Sequence, residues 1–323
     1  MQITFRQLEI FSTVVEEKQV TRASKKLFIT QSAVSLALNE LENQLGGPLF
    51  DRDSRSLVLN DRGRYLLPLC RELISKTEHI VEVMNEKQEH LAGSLRIVAS
   101  STVGNYVLPH LASAFKAMYP NAYITIEINS TKMAEQFIVD RKADLGFVEG
   151  DVGHEQVLVK PWFEDELVII TNPEDVLAVS TRFYLSRDLR RSKWVMREEG
   201  SGTAQIFKKK IGDYVTELNV VMELGHTEAV KKAVETGTGL ACLSNLAVSG
   251  EIKRGELKEL RIEGLNMRRQ LNIIQHKNKL NTRLMNEFLE FCDIMSRCDS
   301  GRECLTSPEK IKSLLKEYRM DSK

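Results

Sequence analysis

ITQSAVSLALNELENQLG, residues 29–46, decides how the N-terminal part of the chain folds. Its apolar residues recur at helical spacing, which predicts a helix with one buried face: Val34, Leu38, Leu41 and Leu45. The opposite face begins with short, uncharged residues: Thr30, Gln31, Ser32 and Ser35. Thr30 is a suitable N-cap for this helix. Because an exposed helix face usually carries Lys and Glu, this neutral cluster indicates a face that meets something other than water.

The segments on either side of this helix complete a small domain. FRQLEIFSTVVEE (5–17) has its apolar residues on one helical face, and a short second helix is predicted from about Thr21, with Ala23 and Leu27 directed inward. LFDRDSRSLVLN (49–60) has the pattern of two short strands around a polar tip. Three helices followed by a β-hairpin wing predict a winged helix-turn-helix domain.

Residues 60–91 are predicted to form one long helix with Asn60 as its cap. Its apolar seam follows the spacing of a coiled coil, with one polar position at Thr77: Leu66, Cys70, Leu73, Thr77, Ile80, Met84 and Leu91. This helix could pack on its own domain, but the length of the seam favours dimerisation.

The pattern changes at residues 92–94, after which strands alternate with helices. LRIVAS (95–100), AYITIEI (122–128) and ADLGFVEG (143–150) read as strands separated by helices. This alternation continues to about residue 295 and predicts parallel βαβ units, so the overall class is α/β. Residues 298–323 form a polar extension.

Composition limits the function classes. Lys+Arg and Asp+Glu both number 45, so any nucleic-acid binding must come from local charge placement. No signal peptide or membrane span is expected, and five cysteines without a CxxC pair favour a reduced, cytoplasmic chain. Cys292, Cys298 and Cys304 recur every six residues, but this spacing fits no zinc motif, so no metal is expected.

TQSAVS, LENQLG, LFDR and NDRGR together resemble the LysR-type transcriptional regulators over residues 1 to about 295. VASSTVGNYVLP, REEGSGT, ELGHTEAVKKAV and GTGLACLS are similar to a branch that includes regulators of carbon fixation and sulfur metabolism. The chain departs from the family at Ala23-Ser24, where two alanines are common, and at Ser32, where proline is frequent. The tail after about residue 298 lies outside the pattern.

This resemblance implies a domain at 1–60 that binds DNA, a dimerising linker helix at 61–91 and an effector domain at 92–297. The effector domain resembles a two-lobed periplasmic-binding-protein fold. Lobe one is expected at about 92–161 and 268–297, and lobe two at about 162–267.

In helix-turn-helix proteins, the second helix of the pair enters the major groove with its N-terminal residues at the base edges. Gln can pair with adenine, and Ser can read either base type. Phosphate contacts are expected from basic residues of helix two and the wing. The predicted DNA-binding residues are Arg22, Lys25, Thr30, Gln31, Ser32, Ser35, Arg52 and Arg55, and Lys26 and Arg62 are further phosphate candidates. By resemblance, Arg52 is the wing residue that contacts the backbone or minor groove.

Polar segments follow three predicted strands and should face a cleft between the lobes. Their hydroxyls and one guanidinium favour a small oxoanion or carboxylate as effector, although each residue alone could be a helix cap. The predicted effector residues are Ser100, Ser101, Thr102, Glu149, Arg197, Glu198, Ser201, Gly202, Thr203 and His226. Glu149 and Glu198 oppose an anion unless they pair with Arg197.

Two other classes of protein fit the sequence poorly. Gly200-Ser201-Gly202 is not the GxSxG elbow, and no GxGxxG or Walker motif is present, so no enzyme, catalytic residue or cofactor is expected. A solute-binding protein of the same α/β fold would lack residues 1–60 and carry an export signal. The expected partners are promoter DNA, a small effector, further copies of the chain as homodimer and homotetramer, and RNA polymerase.

Overall fold

The computed structural model describes residues 3–53, 56–84, 91–179 and 182–296. Arg55 and the predicted extension at 298–323 lie outside the described residues, as does the side chain of Arg52. Contacts divide the chain into two compact units, one formed mainly by residues up to 84 and the other by residues from 91. Among the described helices, none combines the length and apolar character that a membrane crossing needs.

The first unit begins with three helices, α1 (Phe5–Glu17), α2 (Val20–Lys26) and α3 (Gln31–Leu45). Thr4 and Gln7 form a reciprocal capping box at the start of α1. As predicted, Thr30 caps α3, accepting a hydrogen bond from the backbone N–H of Ala33 at 3.2 Å. Gly46, at φ +79°, ends α3 in the left-handed conformation that glycine adopts without strain.

The wing is the predicted hairpin, with β1 (Phe50–Asp53) antiparallel to β2 (Ser56–Leu59). Phe50 packs against Phe11 of α1 with ring centroids 5.6 Å apart. The core joins the inward faces of α1, α2 and α3, including the buried Ala23, Val34 and Leu41. The predicted winged helix-turn-helix architecture is therefore present.

The long helix α4 spans Asp61–Met84. The predicted seam is wrong at Cys70, which is buried in the core of the first unit together with Leu67. The first turns of α4 pack against α1, and this burial raises the pKa of the Cys70 thiol to about 12. Further along the seam, Leu73 and Ile80 are exposed.

The second unit alternates strands and helices as predicted. Its elements in chain order are β3 (Gly93–Ser100), α5 (Ser101–Tyr106), α6 (Leu108–Met118), β4 (Ala122–Asn129), α7 (Thr131–Val139), β5 (Leu145–Glu149), β6 (Val157–Thr171), β7 (Arg182–Phe183), α8 (Leu185–Asp188), β8 (Lys193–Arg197), α9 (Gly202–Ile211), β9 (Asn219–Leu224), α10 (Thr227–Glu235), β10 (Ala241–Ser244), α11 (Asn245–Arg254), β11 (Lys258–Ile262), β12 (Arg268–His276) and α12 (Arg283–Ser296).

Two lobes share the long strand β6, and β12 leads from lobe two into lobe one beside it. In lobe one, β3 pairs in parallel with β4 and β5, and a core around Phe115, Phe147 and Phe288 covers one face of the sheet. In lobe two, β8 pairs in parallel with β9, and Trp194 and Phe207 belong to its core. The parallel pairs follow the βαβ prediction.

Parallel pairing was the wrong prediction for the strands that connect the lobes. β12 is antiparallel to both β5 and β6, and β10 and β11 are antiparallel to β6. The reason is that β6 is long enough to serve both lobes, and β12 returns alongside it from lobe two to lobe one. Arg269 and Asp165 are direct partners in this β12–β6 register.

Phe28 has an unfavourable backbone conformation in the turn between α2 and α3. It lies at φ +55°, and its side chain is 94% exposed. A bulky residue in the left-handed region costs about 1 kcal/mol, whereas Asn tolerates this region. Replacing Phe28 by Asn is expected to raise the free energy of unfolding by about 0.5–1 kcal/mol, measured by calorimetry of the full chain. A loss of stability in this variant would show that the ring contributes packing.

Candidate DNA-binding surface and effector cleft

The N-terminal half of α3 presents the predicted neutral cluster to solvent. Gln31, Ser32 and Ser35 are exposed, while Val34 and Leu38 of the same helix are buried. The Thr30 hydroxyl is shared between the cap of α3 and the Ser32 hydroxyl at 3.0 Å. This arrangement leaves the amide of Gln31 and the hydroxyl of Ser35 available for a partner.

The basic residues near α3 fall into two groups. Arg22 and Lys25 are exposed on α2, with no ion pair among the described residues. Lys26 instead bonds to Glu16 and Glu17 at 3.2 and 3.0 Å, and these carboxylates raise its pKa, the Glu17 hydrogen bond most. The guanidinium of Arg62 donates to the carbonyl of Leu45. Lys26 and Arg62 therefore have partners within the domain and are poorer phosphate candidates than the sequence indicated.

In the second unit, one buried polar network joins the two lobes. Glu149, at the end of β5, accepts hydrogen bonds from Ser100 and Thr102 of lobe one, and from Thr203 of lobe two. The Thr102 and Thr203 hydroxyls each lie 3.3 Å from Glu149 Oε1. These four residues were predicted from the sequence to surround one cleft, and they meet in the structure.

Arg269 of β12 completes this network and was not among the residues predicted from the sequence. Its guanidinium donates to Asp165 at 2.7 Å, to Thr203 at 2.9 Å and to Thr102 at 3.1 Å. Each threonine hydroxyl therefore accepts from Arg269 and donates to Glu149. We call Ser100, Thr102, Glu149, Asp165, Thr203 and Arg269 the interlobe network.

Arg197, at the end of β8, lies in a second polar cluster at the cleft. It bonds to both Glu198 oxygens at 2.8 and 2.9 Å, to Thr227 at 2.6 Å and to Ser101 at 3.2 Å. The sequence indicated that Glu149 and Glu198 would oppose an anion unless they pair with Arg197; Glu198 does pair with it, whereas Glu149 lies 3.9 Å from Arg269. Ser101 and Glu198 are half-buried, so this cluster is closer to solvent than the interlobe network.

The remaining predicted effector residues lie at helix starts. Ser201 caps α9 through the N–H of Ala204 at 3.5 Å, and His226 is exposed before α10. Gly202 allows α9 to approach β5 closely, because a Cβ there would lie 2.2 Å from the carbonyl oxygen of Glu149 and 2.6 Å from the Thr131 hydroxyl. This close contact holds the start of α9 against lobe one.

A cavity of about 430 Å³ lies between α7 and α9, and Glu198 and Ser201 line it. Three of its four carboxylates have partners: Glu198 binds Arg197, Asp151 binds Lys209 at 3.0 Å, and Glu135 accepts from the backbone N–H groups of Gly153 and His154. Its two lysines, Lys132 and Lys208, form no ion pair with described residues. A small anion would therefore meet two lysines at this cavity, together with the fourth carboxylate, Glu199, which also forms no ion pair with described residues.

Tyr106 connects the lobes beside the Arg197 cluster. Its hydroxyl on α5 donates to Glu228 on α10, and burial raises the pKa of this hydroxyl well above its usual value. Lys231 lies 5.3 Å from the centre of the Tyr106 ring and bonds to Glu251 at 2.8 Å. Although burial alone would raise it, the pKa of Glu251 is lowered by Lys231.

Comparison with known proteins identifies the family. Residues 5–64 match "Bacterial regulatory helix-turn-helix protein, lysR family", and residues 88–295 match "LysR substrate binding domain". The chain belongs to the LysR family of transcriptional regulators. This confirms the resemblance inferred from the helix-turn-helix and strand-end motifs.

Relatives of this LysR regulator extend over nearly its whole length. The "Uncharacterized HTH-type transcriptional regulator YeiE" of Escherichia coli (strain K12) is 36% identical over 293 residues, covering 91% of this chain and 98% of the relative. The "RuBisCO operon transcriptional regulator" of Allochromatium vinosum is 30% identical over 291 residues, covering 90% and 96%. It belongs to the carbon-fixation branch that the motifs indicated.

The fold is also found in a solved structure. A full-length OxyR variant from Pseudomonas aeruginosa superposes with a TM-score of 0.77 at 19% identity, covering 94% of this chain and 97% of that chain. At this identity, the likeness concerns the fold alone.

Loss of Arg269 is expected to destabilise the second unit strongly. Replacing Arg269 by Met leaves the buried carboxylates of Glu149 and Asp165 without their guanidinium, which costs about 3–5 kcal/mol of unfolding free energy. Chemical denaturation of the full chain measures this loss. Arg268→Met, at the exposed neighbour, is the matched control and should change stability by less than about 1 kcal/mol. Equal effects of the two variants would contradict the role given to the interlobe network.

Proposed function

We propose that this LysR regulator reads promoter DNA through α3 and is controlled by a small anion in its interlobe cleft. The observation that carries the first part is the exposed, uncharged start of α3, with Gln31, Ser32 and Ser35 directed away from the core. Short polar side chains allow a helix to lie deep in the major groove and to bond base edges. A solute-binding role without DNA does not account for this domain.

Affinity for DNA comes from phosphate contacts by Arg22 and Lys25 on α2, together with Arg52 and Arg55 of the wing. Neutral overall charge makes binding by one domain moderate, so two domains must act together. The target is then a partly palindromic site with half-sites about 34 Å apart.

Pairing of two chains would use the exposed apolar residues of α4. Leu69, Leu73 and Ile80 are 45%, 48% and 61% exposed on this helix. Such residues gain stability when a second copy covers them. The proposed assembly is a homodimer through the 61–91 helices and a homotetramer through further contacts of the 92–297 domains, acting in the cytoplasm.

We place the effector at Arg197. The Glu198 carboxylate bonds to this guanidinium as an external carboxylate would, and Ser101 and Thr227 supply neighbouring hydroxyls. A small oxoanion or carboxylate could replace Glu198, with the adjacent cavity and the hydroxyl of Ser201 offering space and a further contact. Arg197 forms paired hydrogen bonds with either class of anion.

Control of transcription follows from the position of Arg197 between the lobes. Its guanidinium donates hydrogen bonds to Ser101 of lobe one and to Thr227 of lobe two. An anion that displaces Glu198 changes these contacts and shifts the balance between lobe arrangements. The change alters the spacing of the paired DNA-binding domains and the bend of promoter DNA. It thereby alters the access of RNA polymerase to the promoter.

Replacing Gln31 or Ser35 by Ala is expected to lower discrimination between operator and random DNA by about tenfold, since each base contact contributes about 1–3 kcal/mol. Fluorescence anisotropy with both duplexes measures this ratio. Gln156→Ala, which removes an amide side chain from the effector region, is the control. Unchanged discrimination in both α3 variants, with intact oligomers, would defeat the assignment of α3.

Replacing Glu198 by Gln is expected to tighten anion binding, because the internal competitor for Arg197 loses its charge. Thermal-shift titration with sulfite, sulfate, phosphorylated sugars and small carboxylates identifies the anion, and the midpoint concentration should fall several-fold in this variant. The exposed Glu174→Gln, outside the lining of the cavity, is the matched control. A higher midpoint concentration in Glu198→Gln than in wild type would place the effector elsewhere.

A further inference from the structure

An unexplained apolar side chain lies in the middle of the exposed face of α3. Leu36 is 61% exposed and takes no part in the core of the first unit. It lies one helical turn after Ser32, on the side opposite the buried Val34 and Leu41. An amphipathic helix normally carries polar residues on this side. Folding stability therefore gives no reason for a leucine here.

On α3, the side of Leu36 toward the N-terminus is uncharged, and the nearest charged residue, Glu40 one turn later, accepts a hydrogen bond from the Gln7 amide at 3.3 Å. Ser32, Asn39 and Asn43 share its face of α3 and are exposed, and no charged residue occurs between Gln31 and Asn39. Up to Glu40, the face therefore combines amides, hydroxyls and one branched aliphatic group. Water would be a poor partner for this aliphatic group, whereas a surface with both hydrogen-bonding edges and apolar spots would match the whole face.

The major groove of DNA is such a surface. Each base pair offers hydrogen-bond donors or acceptors there, and thymine alone among the standard bases adds a methyl group, at C5. We infer that Leu36 contacts a thymine C5-methyl group and thereby selects an A·T pair within each half-site. This inference rests on the proposed function, in which α3 is the recognition helix.

The spacing on α3 fixes where this thymine should lie. Side chains one turn apart on a helix are separated by about 5–6 Å, and base pairs follow one another about every 3.4 Å. Leu36 should therefore contact a base about one or two pairs from the base that Ser32 contacts. Gln31 and Ser35 lie to one side of this line and read other base edges.

Replacement of thymine by deoxyuridine tests the contact directly, because it removes only the methyl group and keeps Watson–Crick pairing. Duplexes are first selected from a random library with the full wild-type chain, and each thymine is then replaced in turn. Wild type should lose about fourfold in affinity for each half-site at the thymine that Leu36 contacts, the value of one buried methyl group. Leu36→Ala should bind the thymine and deoxyuridine duplexes equally at that position.

Three further variants separate this contact from general effects. Leu36→Met keeps an apolar side chain and should retain sensitivity to the methyl group, whereas Leu36→Gln should lose it and provides a second test if the alanine variant folds poorly. Gln31→Ala should weaken binding but keep the same sensitivity at the Leu36 position.

The outcomes distinguish this inference from the proposed function. Failure of the wild-type chain to enrich any sequence would overturn both. Enrichment with no loss on deoxyuridine substitution, or with an equal loss in wild type and Leu36→Ala, would overturn the role of Leu36 and leave α3 as the recognition helix.

Discussion

The ion pair between Arg269 and Asp165 is the interaction on which the effector region depends. The two residues face each other on the antiparallel strands β12 and β6, and β6 pairs with strands of both lobes. Both side chains are buried, and Asp165 Oδ1 has no hydrogen-bond partner within the described part of the chain. Arg269 bonds to one oxygen of Asp165 and directs its terminal N–H groups to Thr102 in lobe one and Thr203 in lobe two. Loss of the guanidinium would leave buried carboxylates without a compensating positive charge.

Much of this arrangement could be predicted from the sequence, since periodicity reports which side of an element is buried. The spacing of Val34, Leu38 and Leu41 predicted the orientation of α3, and the hydroxyl residues after β3 and β8 indicated the cleft. Arg269 could not be found in this way. Its partner Asp165 is 104 residues distant, and the pair requires an antiparallel register that alternating strands and helices did not indicate. A charged residue at the same alternation as the apolar Leu271 and Ile273 of β12 was the available signal.

Other differences arose where a residue had two possible neighbours. Cys70 fits the heptad spacing of α4, but it is buried in the core of the first unit and is therefore not exposed to a second chain. Lys26 has the position of a phosphate-binding residue, but Glu16 and Glu17 reach it from α1. In both cases the sequence shows what a side chain can do, and the tertiary contacts decide which of its options is used.

Two polar surfaces of different character carry the proposed regulation. The N-terminal part of α3 is open, neutral and suited to base edges, whereas Arg197 is enclosed and holds a carboxylate of its own chain. Coupling between them requires that an anion at Arg197 changes the geometry of bound DNA. Energy transfer between dyes at the two ends of a selected operator, recorded with and without the anion, measures this coupling most directly. We expect the anion to change the end-to-end distance with wild type and to leave it unchanged with Arg197→Met. An unchanged distance with wild type, at anion concentrations that saturate binding, would contradict the proposed coupling.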